Sequence, residues 1–270
     1  MKRLPFDPSW QESVKISHHY DEVEVWGSKS NLGYSYAYED RFHIAIDLVT
    51  KAASPPALIL DLAAAQGNFT LHLAELGYRV IWNDLRDELA DYVRQKYEFG
   101  HVDYKSGNIF DLPLEMIGKF DVILATEVIE HVAHPDDFLH KLASLLKKDG
   151  TIVLTTPNGG YFRNRLPRFS ECPDPSVYES VQFKPNSDGH IFLLHPEELT
   201  LLADKAGLEV KELILFTNPL TNGHLKTQRF LRILPKWVVG LNENLTRKLP
   251  LSVKRILNLQ MAASLSAKKA

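Results

Sequence analysis

Cysteine is almost missing from this 270-residue sequence. Cys172 stands alone, so an intrachain disulfide is excluded and a cysteine-ligated zinc site has no ligands to draw on. No stretch of 18 consecutive apolar residues occurs, so no membrane-spanning helix is expected. The opening MKRLPFDPSWQE turns aromatic and acidic too early for a signal peptide, and a cytoplasmic protein is the default expectation. Internal repeats and low-complexity tracts are absent, and so is the dinucleotide fingerprint G-x-G-x-x-G.

What is present is the composition of a globular chain, with 44% hydrophobic and 24% charged residues. The formal net charge of −3 hides an asymmetry. From His224 to Ala270 there are ten Lys/Arg and one acid, Glu243, a net of +9 that leaves −12 for the rest. A basic tail on an acidic body calls for an anionic partner, or else forms a solvated helix face.

Scattered aromatics, Trp10, Tyr20, Trp26, Tyr34, Tyr36 and Tyr38, mark residues 1–40 as an N-terminal helical cap. Helical spacing at Ala45, Leu48, Val49 and Ala52 leads into the core, and Pro55-Pro56 ends that helix. Apolar strand patterns then alternate with helical ones. ALILDLA (57–63), YRVIWND (78–84), VDYKSGN (102–108), FDVILAT (120–126) and GTIVLTTP (150–157) read as strands, with helices between them. This rhythm predicts an α/β fold, a Rossmann-like doubly wound sheet of about seven mostly parallel strands. A Pro-, Asn- and Arg-rich insertion at 158–190 reads as a substrate lid. A helix in 195–207 and a strand at 208–216 close a core domain over 41–217, and 218–270 reads as a basic amphipathic helical tail.

The first chemical signal is LILDLAAAQGNF (58–69), a buried strand that ends in an acid and turns through small residues into a helix. Small residues let a ligand approach backbone N–H groups at the helix start. Asp61 would repel a pyrophosphate there and suits a cationic ligand. The stretch resembles the first motif of class I S-adenosylmethionine-dependent methyltransferases, D-x-G-x-G-x-G. Asp61 matches its acid, Ala63 and Ala65 replace its first two glycines, and Gly67 matches the third. The resemblance continues at Asp84, where the family places an acid on both ribose hydroxyls. In SGNIFDLP (106–113), Asn108 stands at the adenine-amino position and Ile109 would pack on the adenine face. FDVILATEVIEHV (120–132), followed by a helix, an L-L-K-x-x-G turn and a strand ending in T-P-N, is similar to the ubiquinone-pathway O-methyltransferases and their small-molecule relatives.

That resemblance implies S-adenosyl-L-methionine as cofactor and S-adenosyl-L-homocysteine as product. Asp61, Ala63, Ala65, Gly67, Asp84, Leu85, Asn108, Ile109, Thr126 and Glu127 are its expected contacts. The sequence after the fourth strand is ATEVIEH, not D/N-P-P-Y/F, which disfavours exocyclic adenine methylation. Cys172 lies in the insertion, which disfavours cytosine C5 methylation.

A hydroxyl acceptor needs a base. His131, His190 and Glu127 are the candidates, with His195 behind them, and the remaining histidines read as surface or packing residues. No ligand spacing demands a metal. The expected function is methyl transfer to a hydroxyl of a small-molecule, glycan or lipid-linked acceptor. N-methylation of an amine or amino sugar, or RNA methylation through the basic tail, are the alternatives. The acidic body argues against a broad nucleic-acid footprint. Segments 230–241 and 251–265 mix cations with Leu, Ile, Val and Trp, which suits a membrane surface, a dimer interface or a cover over a greasy substrate.

Overall fold

The computed structural model describes residues 1–27, 31–182, 189–223, 225 and 227–268. Seven strands form one sheet: β1 (Leu58–Leu62), β2 (Arg79–Asn83), β3 (His101–Tyr104), β4 (Phe120–Thr126), β5 (Leu146–Pro157), β6 (Leu208–Phe216) and β7 (Gln260–Ala267). Their order is β3-β2-β1-β4-β5-β7-β6. The β1, β2, β3, β4 and β5 pairings are parallel, and β7 runs antiparallel to both β5 and β6. The expected doubly wound sheet is thus present, with one reversed strand.

Strands buried on both faces explain the continuous apolar runs. One face carries a core of Leu60, Ile123, Ile152, Phe138, Leu142 and Leu199, the last three from α5 (Pro135–Leu145) and α6 (Pro196–Lys205). The other face packs Ile59, Val122 and Val153 against Ala45, Leu48 and Val49 of α2 (Leu32–Ala52) and Leu73 of α3 (Asn68–Glu75). The α2 helix runs without a break across the boundary expected at residue 40. At its N-terminal side stands α1 (Glu12–Glu24), and α4 (Glu88–Lys96) links β2 to β3.

The tail is the correction. Residues 218–270 are not helical throughout. Three helices, α7 (Gln228–Leu231), α8 (Lys236–Arg247) and α9 (Leu251–Leu257), are followed by β7, which sits inside the sheet. QMAASLSA has no long apolar run or clean alternation, but the small residues Ala262 and Ala263 fit a strand wedged between two others. The described part of 158–190 is irregular, with two short 3-10 turns. No helix among the described residues is long and apolar enough to cross a membrane.

Candidate active site

Strand order reverses between β1 and β4, and ligands of such sheets bind beyond the C-terminal strand ends at that point. The turn after β1 forms one wall. Ala63, Ala65 and Gly67 all adopt left-handed backbone, with φ of 51°, 45° and 72°. That conformation costs an L-residue about 1–2 kcal/mol. The two alanines therefore keep the shape that glycines would give, at a cost in stability. At Gly67 no substitution is open, because a Cβ would stand 2.7 Å from Val93 Cγ1.

Asp61, next to last in β1, is in register with Trp82 of β2 and Leu124 of β4, and it is buried. Its Oδ2 accepts a hydrogen bond from the Thr70 hydroxyl, while its Oδ1 is buried with no partner. Burial, and to a lesser degree the charge of Asp84, push this carboxyl up to about 7 despite Thr70. Asp84 follows β2 on the same edge of the sheet. Its Oδ2 accepts from Ala65 N at 2.9 Å, and its Oδ1 accepts from Arg86 N and Arg86 Nε, both at 2.9 Å. Arg86 Nη2 reaches Oδ2 at 3.1 Å. Both oxygens expected to take ribose hydroxyls are thus bonded within the chain.

The other expected contacts are placed unevenly. Thr126 lines the cleft beside the β1 turn. Leu85 is about half-exposed. Asn108 Oδ1 accepts from Phe110 N at 3.0 Å, and Ile109 is buried in the core beneath α5.

Glu127 leaves β4 with φ 54°, a strained conformation of the sort that collects at functional sites. It accepts from the Thr155 hydroxyl at 2.9 Å and pairs with Arg41 at 3.3 Å. His131 Nδ1 faces Gly189 O at 3.3 Å, and the rings of His131 and His190 meet edge to face at 4.9 Å. Glu130 beside them is fully buried, accepts from the Thr156 hydroxyl at 2.9 Å, and is pushed well up by burial. Glu130, His131 and His190 bring ligand-type atoms within 4.8 Å of one another, a spacing at which they could hold a cation together. His195 is elsewhere: it caps α6, with Arg168 Nη2 at 3.1 Å from its Nδ1. Ser187 and Asp188, which lead into His190, and His224 lie outside the described residues.

Two cavities meet here. One, of about 340 Å³, lies over Ala63, Ala64 and Ala65. The other, of about 710 Å³, is lined by His131, His190, Tyr161, Arg163 and Leu193. Tyr34, Arg41 and Glu127 belong to both. Tyr34 and Arg41 come from α2, and sequence reasoning assigned them no role in the site. Burial works against the Arg41 charge, yet Glu127, Tyr34 and Glu24 outweigh it and raise its pKa. A signal was present: Arg41 falls on the apolar stripe of α2, between Ala37 and Ala45. Glu24 of α1 completes the wall, accepting from Tyr34 Oη at 2.8 Å and Gln66 Nε2 at 2.7 Å, and its pKa is raised by burial.

A family model described as a methyltransferase domain matches residues 37–213. The chain belongs to that methyltransferase family. Among curated proteins it is 36% identical, over 118 residues, to a ubiquinone biosynthesis O-methyltransferase of Xanthomonas campestris pv. campestris. That match covers 43% of this chain and 49% of the relative, so the chain spans about half the length of that relative. Solved structures of the same fold include an S-adenosylmethionine dependent methyltransferase from Mesorhizobium loti (TM-score 0.54, 14% identity, 82% of this chain and 95% of that one). Magnesium protoporphyrin IX methyltransferase from Synechocystis, crystallised with bound SAH, is another (TM-score 0.51, 12% identity, 97% and 90%). At such identities these methyltransferase structures establish the fold that the family shares.

Proposed function

We propose that the protein moves the methyl group of S-adenosylmethionine to a hydroxyl of a small-molecule, glycan or lipid-linked acceptor. The observation that carries this reading is the junction at Tyr34, Arg41 and Glu127 of the cavity over the β1 turn with the cavity lined by His131 and His190. The cofactor's residues fit. A buried acid oxygen without a partner, Asp61 Oδ1, stands behind a left-handed turn at the switch point of the sheet. Asp61, the backbone of 63–67 and Asp84 would hold the nucleoside and amino-acid ends, with Thr126 and Glu127 at the strand end between the cavities. When bound, S-adenosylmethionine supplies a methyl group already activated on a sulfonium.

The rest is the work of the chain. For the ribose to reach Asp84, the partly exposed Arg86 side chain would give up one or both of its bonds to that carboxylate. Glu127 is held by Thr155 and Arg41, so it positions and the imidazoles accept the proton. Much of the rate comes from alignment of acceptor oxygen and methyl group. The base adds about 10²–10⁴-fold.

A screen of hydroxyl acceptors for S-adenosylhomocysteine release, run with the parent, His131→Ala and His190→Ala, tests this. One of the two variants should lose about 10²–10⁴ in kcat with cofactor binding retained. Full activity in both variants would point to an amine acceptor, which needs no such base. Absence of any heat of binding for S-adenosylmethionine would overturn the reading altogether.

A further inference from the structure

Residues 228–257 form a surface that the site leaves largely unused. The inner side of α8 rests on the body through Val239 and Glu243, which are buried. Glu243 accepts from both nitrogens of Asn218, and the Lys236–Glu39 and Arg247–Asp40 pairs tie the helix to α2. The outer side carries Trp237, Leu241 and Leu245, spaced four residues apart and 70%, 51% and 57% exposed. Ile233, after α7, is 77% exposed, and Ile256 of α9 is 57% exposed. A helix that turns its apolar stripe outward, with its polar anchor inward, is arranged for something other than water.

The charge on this surface has one sign. Residues 228–257 hold seven Lys/Arg, and their one acid is the buried Glu243. Lys236 and Arg247 are paired to the body. Among the described residues Arg229, Arg232, Lys248, Lys254 and Arg255 make no ion pair.

We propose that this face docks on the surface of an anionic phospholipid bilayer. An exposed Trp and aliphatic stripe ringed by cations has the make-up of an interfacial helix, with the ring at headgroup depth and the cations on lipid phosphates. A second copy of the chain fits poorly, because two-fold self-pairing would set this cationic face against itself. Nucleic acid offers the cations phosphates but gives Trp237, Leu241 and Leu245 nothing to bury against. Residues 1–223, at −12, are repelled by such a bilayer, so this face alone turns toward it.

The surface also borders the larger cavity. Asn158 Nδ2 donates to Arg255 O at 2.8 Å, and Phe162 N donates to Ile256 O at 3.0 Å. The chain leaves α9 into Leu259 and Gln260, which line that cavity. Gln228 of α7 bonds Asn31 and Gly33 at the start of α2, one residue before Tyr34. Docked this way, the protein sets the cavity mouth near the lipid. The docking itself does not depend on methyl transfer.

The test is co-sedimentation of the full chain with vesicles of phosphatidylcholine containing about 30% phosphatidylglycerol, against phosphatidylcholine alone. Binding should favour the anionic vesicles and weaken with salt. Trp237→Asn/Leu241→Asn/Leu245→Asn should cut partitioning by more than about tenfold, and Arg229→Gln/Arg232→Gln by a similar factor, at about fivefold per cation. Tryptophan emission should shift to the blue on vesicles, and Trp237→Phe should lose that shift. All these positions are exposed, so unchanged melting curves are expected and distinguish lost docking from lost folding. No binding to anionic vesicles overturns the proposal. So does equal binding by the apolar variant, or a dimer that the apolar variant breaks while vesicle binding stays untouched.

Discussion

Asp61 is held in a place that disfavours its own charge. Its pKa of about 7, against a usual 3.8, means that the unfolded chain ionises first as pH rises. Stability therefore falls from about pH 4 to about pH 7 and stays low above that, by on the order of 4 kcal/mol. Asp61→Asn should melt several degrees higher than the parent at pH 8, and the gap should shrink by roughly half at about pH 5.5. The same variant should lose binding of S-adenosylmethionine in calorimetry. Equal melting temperatures at pH 8 would show that the carboxylate is not destabilised in the folded chain. The acid was legible in the sequence because a charge at the end of an apolar run has few other reasons to be there. Arg41 showed only as a charge on the apolar stripe of α2, and its pairing did not show, because Glu127 is 86 residues away and only the fold brings them together. Ala63 and Ala65 read as departures from a glycine pattern, and the structure shows the pattern's conformation kept without the glycines.

At the level of elements, the β1 turn is braced from beneath by a buried ion pair that the sequence did not suggest. Lys96, at the end of α4, donates to Asp21 Oδ2 of α1 at 2.6 Å, to Asn68 Oδ1 of α3 at 2.7 Å, and to Gln66 O of the turn at 2.8 Å. Tyr92 also donates to Asp21, at 2.6 Å. Burial lowers the Lys96 pKa against the pull of Asp21. All three ammonium protons are used, so the group fastens three helices and the ligand turn at one point. Lys96→Met should cost about 3–5 kcal/mol by leaving Asp21 buried and uncompensated, seen as a fall in Tm of roughly 10 °C. Asp21→Asn/Lys96→Met should recover most of that loss. Two single variants that melt like the parent would remove the pair from any bracing role. Lys96 and Asp21 are the residue types expected in water on two amphipathic helices, and only the packing of α1 across α4 turns them inward. The central strands were legible for the opposite reason, since β1, β2, β4 and the second half of β5 carry the apolar runs LIL (58–60), VIW (80–82), VILA (122–125) and IVL (152–154), as burial on both faces requires.

Across the whole molecule, the basic segment is an excursion between two strands and not an appendage. β7 pairs with β5 from Thr151↔Ser266 to Pro157↔Gln260, and with β6 from Leu208↔Ala267 to Phe216↔Gln260. Met261, Ala262, Ala263 and Leu265 within it are fully buried. The helices α7, α8 and α9 are therefore anchored at both ends, which holds their apolar stripe outward on a rigid base. The strand escaped the sequence reading because its small residues carry little hydrophobic signal, and because the cations before it give the region the look of a tail. A chain that stops at residue 258 would lose these contacts and open two long edges, on β5 and β6, to solvent. The loss is on the order of a whole domain's stability, ~5–15 kcal/mol. Such a chain should be recovered in aggregates, or lack a cooperative thermal transition by circular dichroism. A chain ending at Lys268 should melt as the parent does. A soluble, cooperatively melting chain ending at 258 would mean that β7 is dispensable, and that the segment before it is free to move as a tail would.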